Sequence, residues 1–434
     1  MRNGFLQAAV LIALAGLVAG CAAGRQSTGS RALSRGDYEK ALAVYQRETE
    51  TSPNKSEAWR SLGIAYFNLD SLTQAQNALD QAARLKADDA TTTLYQGMTF
   101  ERLGKNDEAR ALYRTYVSGK NDPRIATEIR QRLRWLEDQN LKTIVSGAVA
   151  NEKNINTDKI PSNAVAVIRF DADSLPAQYQ PLGRGIAELV YADLAKVEGL
   201  SLVERLELDQ LRKELALSQT EFSDKYHSPR VGRLVGAARV VTGKLTGRSE
   251  SGLEIDAGII DVGPGMAKYP QKQEGKLNEF FQMQKRLSLD LIQTMGYEIT
   301  PELRHAIAKP ATESMLALVA YSRGLEYVDQ GRYALAEAEF KEAAKEDPNF
   351  GLAQQALQEF GGLSDYNGQL KPISQVVELT SLGTEEQQPA QQVDRSEVMQ
   401  RLQESTRGVA PENENPYVAP RESRGTVIVR GRPN

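Results

Sequence analysis

Cys21 is the one cysteine in a chain of 434 residues. A thiol with no second cysteine cannot close a disulfide within the chain, so its use is as a nucleophile or an attachment point. The other residues that could do chemistry are sparse. The two histidines, His227 and His305, lie far from any acid-rich cluster with ligand spacing. Asp256 and Asp261 fall five apart in one alternating run, so they face opposite sides of a strand and cannot work as a general acid–base pair. Gly183-Arg184-Gly185 lacks the third glycine of a dinucleotide loop, and Gly243-Lys244-Leu245-Thr246-Gly247 has a phosphate loop's letters without its glycine spacing. No nucleophile elbow built on glycine and serine is present. An enzyme needs a convergent polar site. The expectation is a binding protein with no catalytic residues, no metal and no cofactor.

What surrounds Cys21 says how the thiol is used. Arg2 supplies a positive charge, the run from Phe5 to Ala19 is mostly apolar, and Val18-Ala19-Gly20 places small residues just before the cysteine. About 15 apolar residues fall short of the roughly 20 that span a bilayer, so the segment reads as a cleaved signal. Val18-Ala19-Gly20-Cys21 resembles the bacterial lipoprotein box. The resemblance implies that the Cys21 thiol receives a diacylglycerol, and that cleavage exposes an amine which takes a further acyl chain such as palmitate. Several acyl chains, at roughly 0.8 kcal/mol per buried CH₂, anchor a protein stably. Alanine rather than aspartate at position 22 implies the outer membrane, with the protein on its periplasmic face. Residues 1–20 are then the signal peptide and 21–30 a tether. Lys and Arg number 53 against 57 Asp and Glu, a near balance that leaves no nucleic-acid footprint.

A repeat follows. Ala41, Ala75 and Ala109 recur at a spacing of 34 residues, as do Tyr45, Leu79 and Tyr113. Trp59, Leu62, Gly63 and Tyr66 open the middle unit, and Gly97 and Phe100 match them in the next. This is the tetratricopeptide (TPR) pattern, in which small residues let paired helices approach and large ones fill the gaps between neighbours. Asp37, Ser71 and Asn106 stand near the starts of second helices, where short polar side chains cap free N–H groups. The first helix of the first unit is expected to be short. A helix from Arg124 to Leu141, apolar on one side through Ile125, Ile129, Leu133 and Leu136, closes the array. The expected α-solenoid spans 31–145. The first helix of each unit lines its concave face, so Arg60, Ile64, Phe67, Asn68, Leu94, Met98 and Arg102 are the candidate partner-binding residues. The two arginines suggest a ligand with some acidic character.

After a linker, 146–162, the period changes. Ala164 to Phe170 is a near-continuous apolar run, as expected of a strand buried on both faces. Ile186, Leu189, Val190, Leu194 and Val197 make a helical stripe. A short strand at Leu202, a helix carrying Leu208, Leu211 and Leu215, a segment from Pro229 to Gly236 and a strand at 240–245 follow. Leu253, Ile255, Ala257 and Ile259 alternate with polar residues and form a hairpin with that strand. A last helix runs from Leu277 to Met295. Val203-Glu204-Arg205, Gly236-Ala237, Val240-Val241-Thr242-Gly243 and Ile260-Asp261-Val262 resemble the curli-secretion (CsgG-type) domain. That fold is similar to outer-membrane lipoproteins that activate penicillin-binding proteins (LpoB-type) and to the amino-terminal domain of TolB. The resemblance covers about residues 160–297; Ala238 departs from it where the family often has an acid. It implies an α/β sandwich with a mixed sheet over 163–297.

Gly324, Tyr327, Ala336, Phe340, Ala343 and Pro348 then place one more TPR unit in 298–362. A lone helical hairpin cannot bury both of its faces and must lean on the sheet domain, the first array or another molecule. From about Gln369 the composition turns to Gln, Pro, Glu, Ser and Asn, so 363–434 is expected to be a disordered tail. Arg395 to Thr406 is a candidate transient helix, and Thr426-Val427-Ile428-Val429 a candidate strand that adds to a partner's sheet.

The whole is an α+β multidomain chain: a non-enzymatic lipoprotein scaffold for assembling the cell envelope or its surface structures. Its expected partners are envelope proteins, with peptidoglycan synthases and secretion or assembly components as the implied classes. Oligomerisation is left open. The alternative is a subunit of a CsgG-type curli or polymer secretion pore; an envelope hydrolase ranks below it. A pore needs strands of roughly 9–11 residues that face lipid. The connections 247–252 and 263–276 are expected to be too short to supply them.

Overall fold

The computed structural model describes residues 27–119, 122–217, 227–247, 252–263 and 266–381, which fall in one compact unit. Cys21, the candidate helix at 395–406 and the candidate strand at 426–429 lie outside the described residues.

Helix α1 (Thr28–Ser34) is short, and Ser27 caps it by accepting a hydrogen bond from the Ser30 amide. It pairs with α2 (Tyr38–Thr51); α3 (Ser56–Asn68) with α4 (Leu72–Leu85); α5 (Ala90–Arg102) with α6 (Asn106–Val117). The repeat spacing has a visible cause at Gly97. A Cβ there would collide with the Tyr113 ring, so only glycine lets the tyrosine of α6 reach α5. Asp37 and Ser71 do stand at N-cap positions, but neither side chain makes a capping bond, and Asn106 is already the first helical residue. Burial of the alanines and Tyr113, rather than capping, holds these pairs.

Helix α7 (Pro123–Ala150) exceeds the expected capping helix by nine residues at its end and reaches into the segment read as linker. At 1.5 Å per residue it is about 42 Å long. Its first half packs on α5 and α6 through Ile125, Ile129 and Leu133. Its second half places Val145 in the core of the next domain. One helix therefore belongs to two modules, and the boundary expected at 145 falls within a continuous rod.

The sheet has the order β2-β1-β3-β4-β5. Strand β1 (Ala164–Val167) runs parallel to β2 (Ser201–Leu202) and to β3 (Arg239–Gly247); β4 (Gly252–Asp261) and β5 (Met266–Lys276) continue it antiparallel. Alternation sorts side chains between two cores. Val165, Val167, Val241 and Ile259 face α8 (Leu182–Leu194) and α11 (Phe280–Thr294). Ala166, Ile168, Val240 and Ile260 face α9 (Arg205–Glu214), α10 (Ser228–Leu234) and the end of α7. Asp193 of α8, 1% exposed, accepts bonds from Lys285 (2.8 Å) and Gln284 (2.9 Å) of α11, and so ties the two helices on one face. Glu152, just after α7, accepts from Arg230 and Arg233 of α10 at 2.9 Å each. The segment read as a free linker is thereby fastened to the sheet domain.

Strand β5 corrects one expectation. Residues 266–276 are an edge strand rather than a connection. Its composition hides it: Met-Ala-Lys-Tyr-Pro-Gln-Lys-Gln-Glu-Gly-Lys has no apolar alternation. The register shift between Ala257 and Ile259 places Pro270 in an irregularity, where its missing N–H costs no ladder bond. Lysines and a proline also discourage the exposed edge from pairing with another chain. At 11 residues this segment is not too short for a pore strand, contrary to the expectation. What these strands do here is pack: Gln271 and Gln273 bond to Thr294 and Asp290 of α11.

After α12 (Pro301–Ala308) comes the last repeat, α13 (Met315–Asp329) and α14 (Tyr333–Glu346), followed by α15 (Gly351–Phe360). It leans on the sheet domain: α13 packs on α8, and Phe340, Phe350 and Phe360 join the core that contains Val165 and Leu287. The described chain ends in α16 (Ile373–Ser381). The expectation of disorder from 363 onward therefore does not hold for 363–381. Leu363, Tyr366 and Val376 are buried there and offset the ordering cost of a polar segment. Among the described residues no helix is long and apolar enough to cross a membrane.

Candidate interaction groove

Helices α1, α3, α5 and α7 are the first helices of successive units, and their shared side is the concave face of the array. The structure distributes the seven candidate residues unevenly over it. Phe67, Leu94 and Met98 are buried; Arg60, Ile64 and Asn68 are half-buried; Arg102 is exposed. Phe67 meets the Tyr95 ring edge to face, with centroids 5.4 Å apart. Arg102 lies 4.8 Å above Phe67 and donates to its carbonyl at 2.8 Å. Both arginines are already paired, Arg60 with Asp89 at 2.7 Å and Arg102 with Asp70. The positive charge that suggested an acidic ligand is thus largely spent within the array.

Beneath the face runs a buried ionic chain. Tyr113 donates to Glu101 at 2.6 Å, Arg132 bridges Glu101 (2.6 Å) and Glu128 (3.1 Å), and Glu128 is 1% exposed. Arg132 thus holds one carboxylate of α5 and one of α7.

What occupies the groove is the end of the folded chain. Residues 361–372 run along α7: Gln131 donates to the Gly362 carbonyl (3.3 Å), and Lys371 lies 3.6 Å from Glu128. Helix α16 then touches α7 at one end of the array and α1 at the other. Val376, fully buried, belongs to the same cluster as Phe67, Leu94, Tyr95 and Met98. Burial in this cluster pushes the pKa of the Tyr95 hydroxyl up to about 12. Ile373, Val376, Val377 and Leu379 set this segment apart from the Gln- and Glu-rich sequence after it. Its signal is the spacing of Ile373, Val376 and Val377, three and four residues apart, in a short run flanked by polar sequence.

A second concavity of about 800 Å³ lies where three modules meet, lined by α6, α7, α8, α9, α13 and α15. At its margin Asp329 of α13 accepts from Arg184 of α8 (3.2 Å) and Arg205 of α9 (2.9 Å), while Arg205 also sits 5.5 Å from the Phe360 ring centre. Burial pushes the Glu359 carboxyl up. Gly183-Arg184-Gly185 finds its use here. Its glycines admit Phe170 and α13, and its arginine pairs with Asp329. Among the described residues no group of three or more His, Cys, Asp or Glu could hold a metal ion. His305 is exposed on α12.

Family models match the same segments. Tetratricopeptide-repeat models match residues 32–92, 65–124 and 317–350, and a model described as curli production assembly/transport component CsgG matches 151–269. Cilia- and flagella-associated protein 70 of Macaca fascicularis is 32% identical over 98 residues, 22% of this chain and 10% of that protein; the Homo sapiens protein matches at the same identity. The chain spans about a tenth of the length of these curated relatives. Among solved structures, the LpoB C-terminal domain from Salmonella enterica is similar at 18% identity, covering 31% of this chain and 95% of that one, with a TM-score of 0.22. The P58(IPK) TPR domain is similar at 14% identity, covering 88% and 98%, with a TM-score of 0.26. The repeats are a scaffold fold of a typically non-catalytic kind.

Proposed function

We propose that this chain, which joins tetratricopeptide repeats to a CsgG-family domain segment, is a lipid-anchored scaffold on the periplasmic face of the outer membrane. Its architecture is consistent with protein interaction, and the observation that carries the reading is the groove itself. A concave face of helices seats a helix through one buried aliphatic side chain, Val376. A surface that holds one amphipathic helix is suited to hold others. The Cys21 box supports the anchor. With α1 beginning at Thr28, residues 22–27 would keep the array within roughly 25 Å of the lipid, at about 3.5 Å per extended residue. Envelope proteins, peptidoglycan synthases or secretion components among them, are the partners such a position offers.

Crosslinking in intact cells, followed by identification of the captured proteins, tests this. Recovery of one envelope protein from the native chain, and its loss from the Cys21→Ser chain, is the expected result. Equal recovery from both chains would contradict the anchor; recovery of no envelope protein would contradict the scaffold.

A further inference from the structure

We infer that α16 is a resident occupant of the TPR groove, and that the groove's partner is a helix of the same chemistry that must displace it. Such a helix carries a β-branched aliphatic anchor and a lysine five residues before it. The inference rests on the reading of the concave face as a ligand site and adds what that site recognises and how it is controlled.

Two contacts along 371–376 define the chemistry. Lys371 approaches the buried carboxylate Glu128 at 3.6 Å. Glu128 is 1% exposed and has one other cation, Arg132, which it shares with Glu101. A basic group at that end of the groove is therefore favoured, and an acidic one repelled. Val376 loses all exposure on the array. Ser374 and Gln375 are exposed and Ile373 is 40% exposed, while Val377 and Leu379 are half-buried. A nine-residue helix held by one buried aliphatic residue is a short attachment, and isolated helices of this length are marginal in water. It is also tethered, so its local concentration is high and any free ligand is weakened by the fraction of time the groove is filled. An intramolecular occupant with a weak grip and a high effective concentration sets a threshold for the true partner.

The test uses the full chain in detergent and a fluorescein-labelled peptide of residues 368–381, read by anisotropy. The Val376→Asp chain should bind the peptide at least tenfold more tightly than the native chain. A peptide carrying Lys371→Glu should bind the Val376→Asp chain at least tenfold less tightly than the native peptide does. Equal affinity of the native peptide for the two chains would overturn the inference, as would equal affinity of the two peptides for the Val376→Asp chain. Should that substitution unfold the array, hydrogen exchange on the native chain decides. Excess peptide must speed exchange at 373–381 while leaving 125–136 protected; unchanged exchange at 373–381 overturns the inference. The two readings fail separately. Peptide competition with no envelope partner in cells removes the scaffold alone, whereas an envelope partner without peptide competition removes only the occupant.

Discussion

Gly185 of α8 lies so close to Ser322 of α13 that a Cβ at position 185 would collide with the Ser322 hydroxyl. This near-contact of backbones seats the last repeat on the sheet domain. Gly185→Ala should therefore destabilise the chain by about 1–3 kcal/mol, the usual cost of overpacking a filled interface. Adding Ser322→Ala removes the colliding oxygen and should recover part of that loss. Urea titrations of the two single variants and the double variant give the coupling, and strict additivity would show that the residues do not meet.

Asp329 is the only carboxylate that both Arg184 and Arg205 reach among the described ion pairs. Asp329→Ala would take from Arg205 its carboxylate and leave Arg184 with Glu188 alone, 3.4 Å away. A loss of about 3–5 kcal/mol is expected, as for other broken buried pairs. Asp329→Asn keeps the shape and should cost less. Thermal unfolding followed by near-ultraviolet circular dichroism checks the order of the two variants.

Glu152 gives a pH dependence. Hydrogen bonds from Arg230, with Arg233 beside it, hold its pKa down to about 2 from an ordinary 4.5. A carboxyl depressed on folding contributes stability that is complete above 4.5 and fades as pH falls towards 2. The site is near the surface, so about 1 kcal/mol or less is involved. Native and Glu152→Gln chains should differ in urea midpoint at pH 6 and converge as pH falls from 4.5 to 2. A gap that widens on acidification would contradict the assignment.

Cys21→Ser should abolish incorporation of labelled palmitate and move the chain from membrane to soluble fractions after osmotic lysis. Replacing the residue at position 22 with aspartate should leave lipidation intact and shift the fraction from outer to inner membrane. Sucrose-gradient fractionation reads both. An unchanged distribution of the serine variant would remove the anchor from the account.

The repeats were legible because their signal is a spacing. Gly97 and Tyr113 sit 16 residues apart in sequence and touch, and the same pair of sizes recurs as Gly63 and Leu79. The sheet was legible where both faces are covered, as at Ala164–Val167, and illegible at β5, where an open edge removes the demand for apolar alternation. The extension of α7 was missed because its apolar residues change partners midway, from Ile129 in the array to Val145 in the sheet domain, which breaks the stripe. Helix α16 was missed for a different reason. Its four aliphatic residues, Ile373, Val376, Val377 and Leu379, form a single short run, so over a longer window the composition stays that of a tail. The seven candidate residues lie on α3 and α5, but period alone does not tell Phe67 and Met98, which are buried, from Asn68, which keeps some exposure.

The central claim is that the concave face of the array receives a protein partner. A photocrosslinking residue in place of Asn68, beside the groove, tests it in intact cells, with Asn77 on the exposed side of α4 as the control position. The account predicts a crosslink from position 68 to one defined envelope protein, absent from position 77 and more abundant in the Val376→Asp chain. Products confined to this chain's own 373–381 segment, or identical products from both positions, would contradict it.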